Sequence, residues 1–393
     1  MIKKEEKVEN KIVINEDKQE KIVAPEIAKK EEENSKNLTS APIVKENFAK
    51  FKKSQNSHTE HFENSVEKER NRNDSNFSKD ELEERKEKVI SFLKQKKDWV
   101  FYLILAFIVF ISVYIRTRNI PRLKDISTGT WTLGPDLDPF LFLRWAEYIV
   151  EHGKLFAMDS MRNVPLADIC SGVTCGPINT AGEMKLLSYM IAWFHNFLSF
   201  FSNEITLTYS AIWFPVFMAA LTAVAFFLFA RKIFYKEDKL TKNLIALIST
   251  AIFVLIPSML PRTIAGIPEK ESAAFFFMFM AFYFFLESFT QEKFKKGLTF
   301  GILAGISTAG MALIWGGMIF IFFTIPIAVL LAFILGKIEK EKLIIYFSWL
   351  ATSFIFMMPF STRYTFKNLV MSTSTGLAIG IFIIIFISLL VMK

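Results

Sequence analysis

Apolar and polar positions divide this chain near residue 98. Ahead of it, Lys, Glu, Asn and Ser come in short mixed blocks with no helical or strand period. Beyond it run long uncharged stretches of Phe, Ile, Leu, Ala and Met, separated by short charged connections. A run of about 20 apolar residues is what a helix needs to cross the hydrocarbon core of a bilayer. The pattern predicts eight spans, at 99–115, 208–230, 243–261, 272–286, 297–315, 317–335, 343–360 and 375–392. No Asp, Glu, Lys, Arg or His interrupts any of them. The expected fold is an all-α polytopic membrane protein.

The divisions follow from that pattern. Residues 1–97 are expected to be a disordered, charged cytoplasmic tail, because they hold too little apolar surface to offset the entropy of ordering. Residues 81–97 suit a charged helix leading to the membrane. No continuous apolar core marks a signal peptide near Met1, so the N-terminus is expected in the cytoplasm. The sequons at Asn37 and Asn76 would then escape glycosylation. Residues 98–116 form the first span and 117–204 a long external segment. Residues 205–393 carry seven further spans. Within the external segment, 144–156 has helical apolar spacing and suits an interfacial helix.

Charge orients the bundle. Lys-rich connections at 231–242, 291–296 and 337–342 alternate with less basic ones at 261–271, 315–317 and 361–368. This is the positive-inside pattern, and it puts the Lys-rich loops in the cytoplasm. The apolar stretch 186–201 is short and contains His195 and Asn196. If it crossed the membrane, Asp138 and Glu269 would face opposite compartments. Counted as external, it leaves two spans between them and both on the outer face. The net charge of +8 lies largely in the tail and loops and is no argument for nucleic acid. Cys170 and Cys175 lie in the external segment, either disulfide-bonded or as two free thiols, and without a neighbouring His they make no zinc site. Absence of ionisable residues within the spans favours an interfacial active site over a conduction pathway. It leaves open a carrier for a lipid-like substrate.

Two acidic motifs carry the candidate chemistry. Residues 134–144 read GPDLDPFLFLR, with Asp136 and Asp138 two apart, and 262–272 read RTIAGIPEKES, with Glu269 and Glu271. Mg²⁺ or Mn²⁺ is usually held by one or two carboxylates, with water and substrate phosphate completing the octahedron. Arg144, Arg262 and Lys270 beside the acids suit a phosphate-bearing donor. Either motif alone reads as solvated loop acids, and an ion-pair network is the alternative to a metal site. Two motifs on one face, each against a span, point to a shared site.

Residues 133–155, LGPDLDPFLFLRWAEYIVEHGKL, resemble the first external loop of the oligosaccharyltransferase catalytic subunit family, especially its archaeal AglB-like form. The likeness continues through MRNVPL at 161–166, PSMLPRTIAGIPEKESAAFF at 257–276 and IWGGMIFIFFTIPI at 314–327. It implies a GT-C fold and transfer of an oligosaccharide from a polyprenyl, dolichyl-type phosphate or pyrophosphate to Asn in Asn-x-Ser/Thr. By position, Asp138 matches the family's first-loop catalytic acid and Glu269 and Glu271 its second acidic pair; Asp136 has no secure counterpart. The implied partners are a lipid-linked oligosaccharide, an acceptor polypeptide and the membrane.

The family also has a later external Glu and a soluble C-terminal domain with Trp-Trp-Asp. The sequence has no Trp-Trp-Asp, and the polar stretch MSTSTG at 371–376 lacks the Glu. The soluble domain is therefore expected to be absent from this chain. Three readings remain open: a fragment, a separate chain supplying the rest, or a changed function. Another GT-C transferase using a lipid-phosphate sugar, or a non-catalytic or transport protein binding polyprenyl-linked glycans, is the alternative.

Overall fold

The computed structural model describes residues 79–94, 98–163 and 177–391. Most of the predicted tail, Cys170, Cys175 and residues 164–166 of the MRNVPL stretch lie outside the described residues. The chain divides into two units, residues 1–91 and 92–393. Helix α1, Lys79–Lys94, is charged and its residues 83–91 are exposed, with Lys88 donating to Glu84 one turn back at 2.6 Å.

The membrane unit begins with α2, Asp98–Thr117. After a loop come α3, Asp138–His152, and a two-stranded antiparallel ladder of β1, Met158–Asn163, and β2, Pro177–Asn179. Then follow α4, Leu186–Ser199; α5, Leu207–Ile233; and α6, Lys239–Val254. The bundle continues with α7, Lys270–Thr290; α8, Phe294–Ala312; α9, Ile319–Ile334; and α10, Lys340–Met357. It closes with the short α11, Phe366–Met371, and α12, Thr373–Val391.

Six stretches, Trp99–Arg122, Leu207–Ile233, Lys270–Thr290, Gly316–Ile334, Lys340–Phe360 and Thr373–Val391, are long and apolar enough to cross a membrane. Helices suit this setting because every backbone polar group is satisfied within the segment. The predicted spans at 243–261 and 297–315 correspond to α6 and α8. Helix α6 has 16 residues, roughly 24 Å, after which the chain turns before a single helical turn at Leu260–Thr263. The 14 residues of α4 reach only roughly 21 Å, short of a hydrocarbon core of about 30 Å.

Helix α8 packs between α7 and α10. Gly297, Gly301 and Gly305 recur every fourth residue and turn one face of α8 to α10. A Cβ at Gly305 would lie 2.7 Å from the Trp349 carbonyl oxygen and 2.7 Å from the Thr352 Cβ. One at Gly301 would lie 2.7 Å from the Ser348 Oγ and 3.2 Å from the Ile345 carbonyl. Small residues every fourth position let helix backbones approach, so dispersion replaces a hydrophobic drive that lipid does not supply. Polar side chains tie the same region. Trp349 Nε1 donates to Thr308 Oγ1 at 2.9 Å and Tyr346 donates to the Ala378 carbonyl at 2.9 Å. Tyr364, at the end of the bundle, donates to the Ala312 carbonyl at 2.6 Å.

This packing predicts a position-specific cost. Gly305→Val drives a side chain into the backbone of α10, and such overpacking costs about 1–3 kcal/mol. Gly380→Ala, where a Cβ meets nothing within 4 Å, serves as control. Thermal unfolding in detergent should show a lowered midpoint for the first and none for the second.

Candidate functional site

The loop after α2 is shaped by a short bridge between Lys124 and Trp131. Asp125 donates its N–H to the Thr130 carbonyl at 2.9 Å, and Thr132 donates to the Leu123 carbonyl at 3.0 Å. Asp125 also accepts from the Ser127 hydroxyl at 2.5 Å and from the Thr128 and Ser127 N–H groups at 3.0 and 2.7 Å, and these bonds, the hydroxyl's first, hold its carboxyl below the ordinary range. The chain is thereby aimed back at the segment before α7. There the Gly134 N–H donates to the Gly266 carbonyl at 2.8 Å, and the Gly266 N–H donates to the Ile212 carbonyl of α5 at 3.0 Å. Gly266 has φ +82°, a conformation that L side chains rarely adopt, and a Cβ there would also sit 2.5 Å from Leu123.

A buried arginine anchors the other side of that segment. Arg116, at the end of α2, donates Nε to Thr263 Oγ1 at 2.8 Å. Its Nη1 reaches Ser112 Oγ at 2.9 Å and the carbonyl of Val254, the last residue of α6, at 3.1 Å. The Arg116 carbonyl accepts from the Ala265 N–H at 2.9 Å, and Asn119 Nδ2 donates to the Ala265 carbonyl at 2.7 Å.

The two acidic motifs meet at this junction. Asp138 opens α3 with Pro139 after it, and Glu269 stands at the N-cap position of α7, with Glu271 in its first turn. Carboxylates at a helix N-terminus are favoured by its orphan N–H groups and dipole, which explains both local placements. Arg262 Nη1 lies 3.4 Å from Glu269 and 4.0 Å from Asp136, and Lys270 Nζ lies 4.0 Å from Asp138. Glu269 is only 4 % exposed, whereas the Asp138 side chain is 58 % exposed. Burial pushes the Glu269 carboxyl up to about 7, helped by the charges of Glu271, Asp136 and Asp138 and opposed by Arg262.

These donors fit a hard divalent cation in chemistry. They are oxygen ligands, and the buried Glu269 sits in a field of three acids that a cation would neutralise. As they stand, Asp136, Asp138 and Glu269 lean onto Arg262 and Lys270. Among the described residues no three Asp, Glu, His or Cys side chains are gathered as a ligand set.

Arg144 is placed elsewhere. Its Nη2 pairs with Asp159 Oδ2 at 2.5 Å, and Trp145 Nε1 donates to the same oxygen at 2.9 Å. Asp159 is fully buried and fastens β1 to α3; the arginine and tryptophan hydrogen bonds hold its carboxyl low against the opposing effect of burial. Asp159 and Arg116 escaped the sequence reading. Arg116 looks like one of several flanking charges, and nothing local marks Asp159 in its polar stretch.

Comparison with known proteins places this geometry. The family described as oligosaccharyl transferase STT3, N-terminal, matches residues 101–393. A dolichyl-diphosphooligosaccharide–protein glycosyltransferase subunit STT3 of Dictyostelium discoideum is 26% identical over 287 residues, 71% of this chain and 36% of the relative. The STT3A subunit of Oryza sativa subsp. japonica is 27% identical over 216 residues, 54% of this chain and 25% of the relative. Among solved structures, the Archaeoglobus fulgidus oligosaccharyltransferase with Zn and sulfate aligns with TM-score 0.58 and 20% identity, over 74% of this chain and 35% of that one. AglB from the same organism, in complex with an inhibitory peptide and a dolichol-phosphate, aligns with TM-score 0.57 and 22% identity, over 74% and 33%. The chain spans roughly a quarter to a third of the length of these relatives. It belongs to the oligosaccharyl transferase STT3 family, within that family's N-terminal part. It is an integral membrane protein of GT-C fold.

The raised pKa of Glu269 has a stability consequence. The unfolded carboxyl ionises near its ordinary value of 4.5, while the folded one holds its proton to about 7. Between those values the folded state binds the extra proton, so stability present at low pH is lost as pH rises through about 7. In metal-free detergent the wild-type thermal midpoint should fall relative to that of Glu269→Gln across this window. Parallel pH profiles would contradict the placement of Glu269.

Proposed function

We propose that this chain is the membrane-embedded catalytic part of an oligosaccharyltransferase. It transfers an oligosaccharide from a polyprenyl, dolichyl-type phosphate or pyrophosphate to the side-chain amide of Asn in Asn-x-Ser/Thr. The observation that carries this reading is the meeting of two distant acidic motifs: Arg262 lies between Asp136 and Glu269, and Lys270 reaches Asp138. A relative's structure with dolichol-phosphate and a peptide supports the substrate classes.

Asp138 stands at the exposed mouth of this junction and is assigned to the acceptor. An amide nitrogen is a poor nucleophile because its lone pair is delocalised. A carboxylate accepting hydrogen bonds from the amide N–H groups helps release that pair. The nitrogen then bonds to the sugar's anomeric carbon as the bond to the phosphate oxygen breaks, the lipid phosphate or pyrophosphate leaves, and one amide proton passes from the nitrogen to solvent water. Asp138, Glu269 and Glu271, with Asp136 beside them, are assigned to hold Mn²⁺ or Mg²⁺. Such an ion supplies Lewis-acid stabilisation of the leaving phosphate. Arg262, half-exposed beside the acids, is placed to meet the donor's phosphate. The same role is proposed for Arg144 only where the donor draws it from Asp159.

The topology proposed with this reading has eight spans in the cell membrane. The N-terminus is cytoplasmic and both acidic motifs are extracytoplasmic, with α4 in the external segment.

Two measurements test these assignments. Asp138→Asn should abolish glycan transfer while leaving the thermal midpoint unchanged, because an exposed isostere disturbs no packing. Glu269→Gln and Glu271→Gln should raise the Mn²⁺ or Mg²⁺ concentration needed for half-maximal transfer. The assay supplies the remaining family length from a relative where the chain alone is inert. Transfer that survives EDTA sinks the metal assignment. For topology, Asp138→Cys and the exposed Pro261→Cys beside the second acidic motif should label with an impermeant reagent from one side and Lys236→Cys from the other.

A further inference from the structure

At the far ends of α5 and α7 lies a polar cavity of about 260 Å³. Both helices begin at the acidic junction, since Ile212 of α5 bonds Gly266 and Glu269 stands at the N-cap position of α7. Glu287 is roughly 27 Å along α7 from Glu269 at about 1.5 Å per residue. This places the cavity at the opposite membrane end from the acids.

Its lining is basic and hydroxyl-bearing: Arg231, Lys232, Lys242, Tyr235, Tyr283 and the single carboxylate Glu287. Glu287 is already committed to Lys232, at 2.5 Å. Arg231 and Lys242 have no carboxylate partner among the described residues. Arg231 reaches the Tyr102 hydroxyl at 3.4 Å, while its Nε is buried with no hydrogen-bond partner. A buried donor without an acceptor is costly and needs a physical explanation. Two unpaired cations, an orphaned guanidinium N–H and two phenols form a donor set for phosphate oxygens.

The surroundings favour a lipid as the source. Trp99 and Tyr102, exposed on α2, mark the level where aromatic side chains meet the headgroup region. Basic pockets between membrane helices at such a level hold anionic headgroups. The volume falls just below the range of about 300–1,000 Å³ typical of small-ligand pockets, which suits a headgroup rather than a whole lipid.

We propose that this cavity is a phosphate site that takes the headgroup phosphodiester of an anionic phospholipid. Native mass spectrometry of the full chain, titrated with phosphatidylglycerol or phosphatidylcholine, tests it. Phosphatidylglycerol should be retained in preference, and Arg231→Gln and Lys242→Gln should each weaken its retention about fivefold. Lys242→Arg should keep the preference, which guards against a variant that merely misfolds. Lys296→Gln, an exposed cation in the first turn of α8 at the same end, should also keep it. In a separate arm, inorganic phosphate is added and the thermal midpoint is read. A rise abolished by Lys242→Gln, without any lipid preference, would support the phosphate chemistry and assign it to a soluble anion. Equal retention of both lipids with no phosphate effect would overturn the proposal. So would unchanged retention in Arg231→Gln and Lys242→Gln, or an equal loss in Lys296→Gln, which would mean diffuse surface attraction.

Discussion

A single backbone hydrogen bond, from the Gly134 N–H to the Gly266 carbonyl, joins the two halves of the acidic junction. Everything chemical at this end of the bundle depends on that approach. A Cβ at Gly134 would lie 2.8 Å from Ile267 Cγ1, and Gly266 combines a 2.5 Å approach to Leu123 with a φ of +82° that a side chain strains. Arg116 secures the same segment from the other side. Its guanidinium is buried, pairs with no carboxylate among the described residues, and donates to the Thr263 and Ser112 hydroxyls and to the Val254 and Ser112 carbonyls. A charge taken from water in this way is tolerable only when its donors are occupied, so Arg116 commits α2, α6 and the Thr263–Gly266 stretch to one arrangement.

Electrostatics at the junction follow from that confinement. Four carboxylates are drawn to two helix starts, and one of them, Glu269, is removed from solvent. Arg262 and Lys270 compensate part of the repulsion. Burial is the main cause that raises the Glu269 carboxyl, and the charges of Glu271, Asp136 and Asp138 add to it.

Behind the junction the bundle must be rigid without a hydrophobic drive between its helices. The glycine face of α8 meets this need by bringing α10 to backbone contact. Trp349, pinned by its hydrogen bond to Thr308, closes the space behind. The same glycines, with Lys295 and Lys296 at its start, lower the apolarity of α8, so its place in the bundle shows in its packing more than in its hydropathy. Helix α7 carries the consequence to the site, since it packs on α8 and begins at Glu269.

Hydrophobic runs by themselves determined where the long helices form, because satisfying the backbone in lipid is a local requirement met within one segment. The acids were legible for the same reason: each opens a helix beside a proline or a glycine, a signature of a few consecutive residues. Tertiary structure decided what those residues face. Arg144 has the same local sequence whether it meets a phosphate or Asp159, and only the docking of β1 against α3 selects Asp159. Arg116 reads as a flanking charge until α6 and the Thr263 turn are packed around it. The orphaned Nε of Arg231 likewise exists only once α2, α5 and α7 enclose it. Pairings of this kind join residues far apart in the chain, and their energy comes from burial that no local pattern encodes.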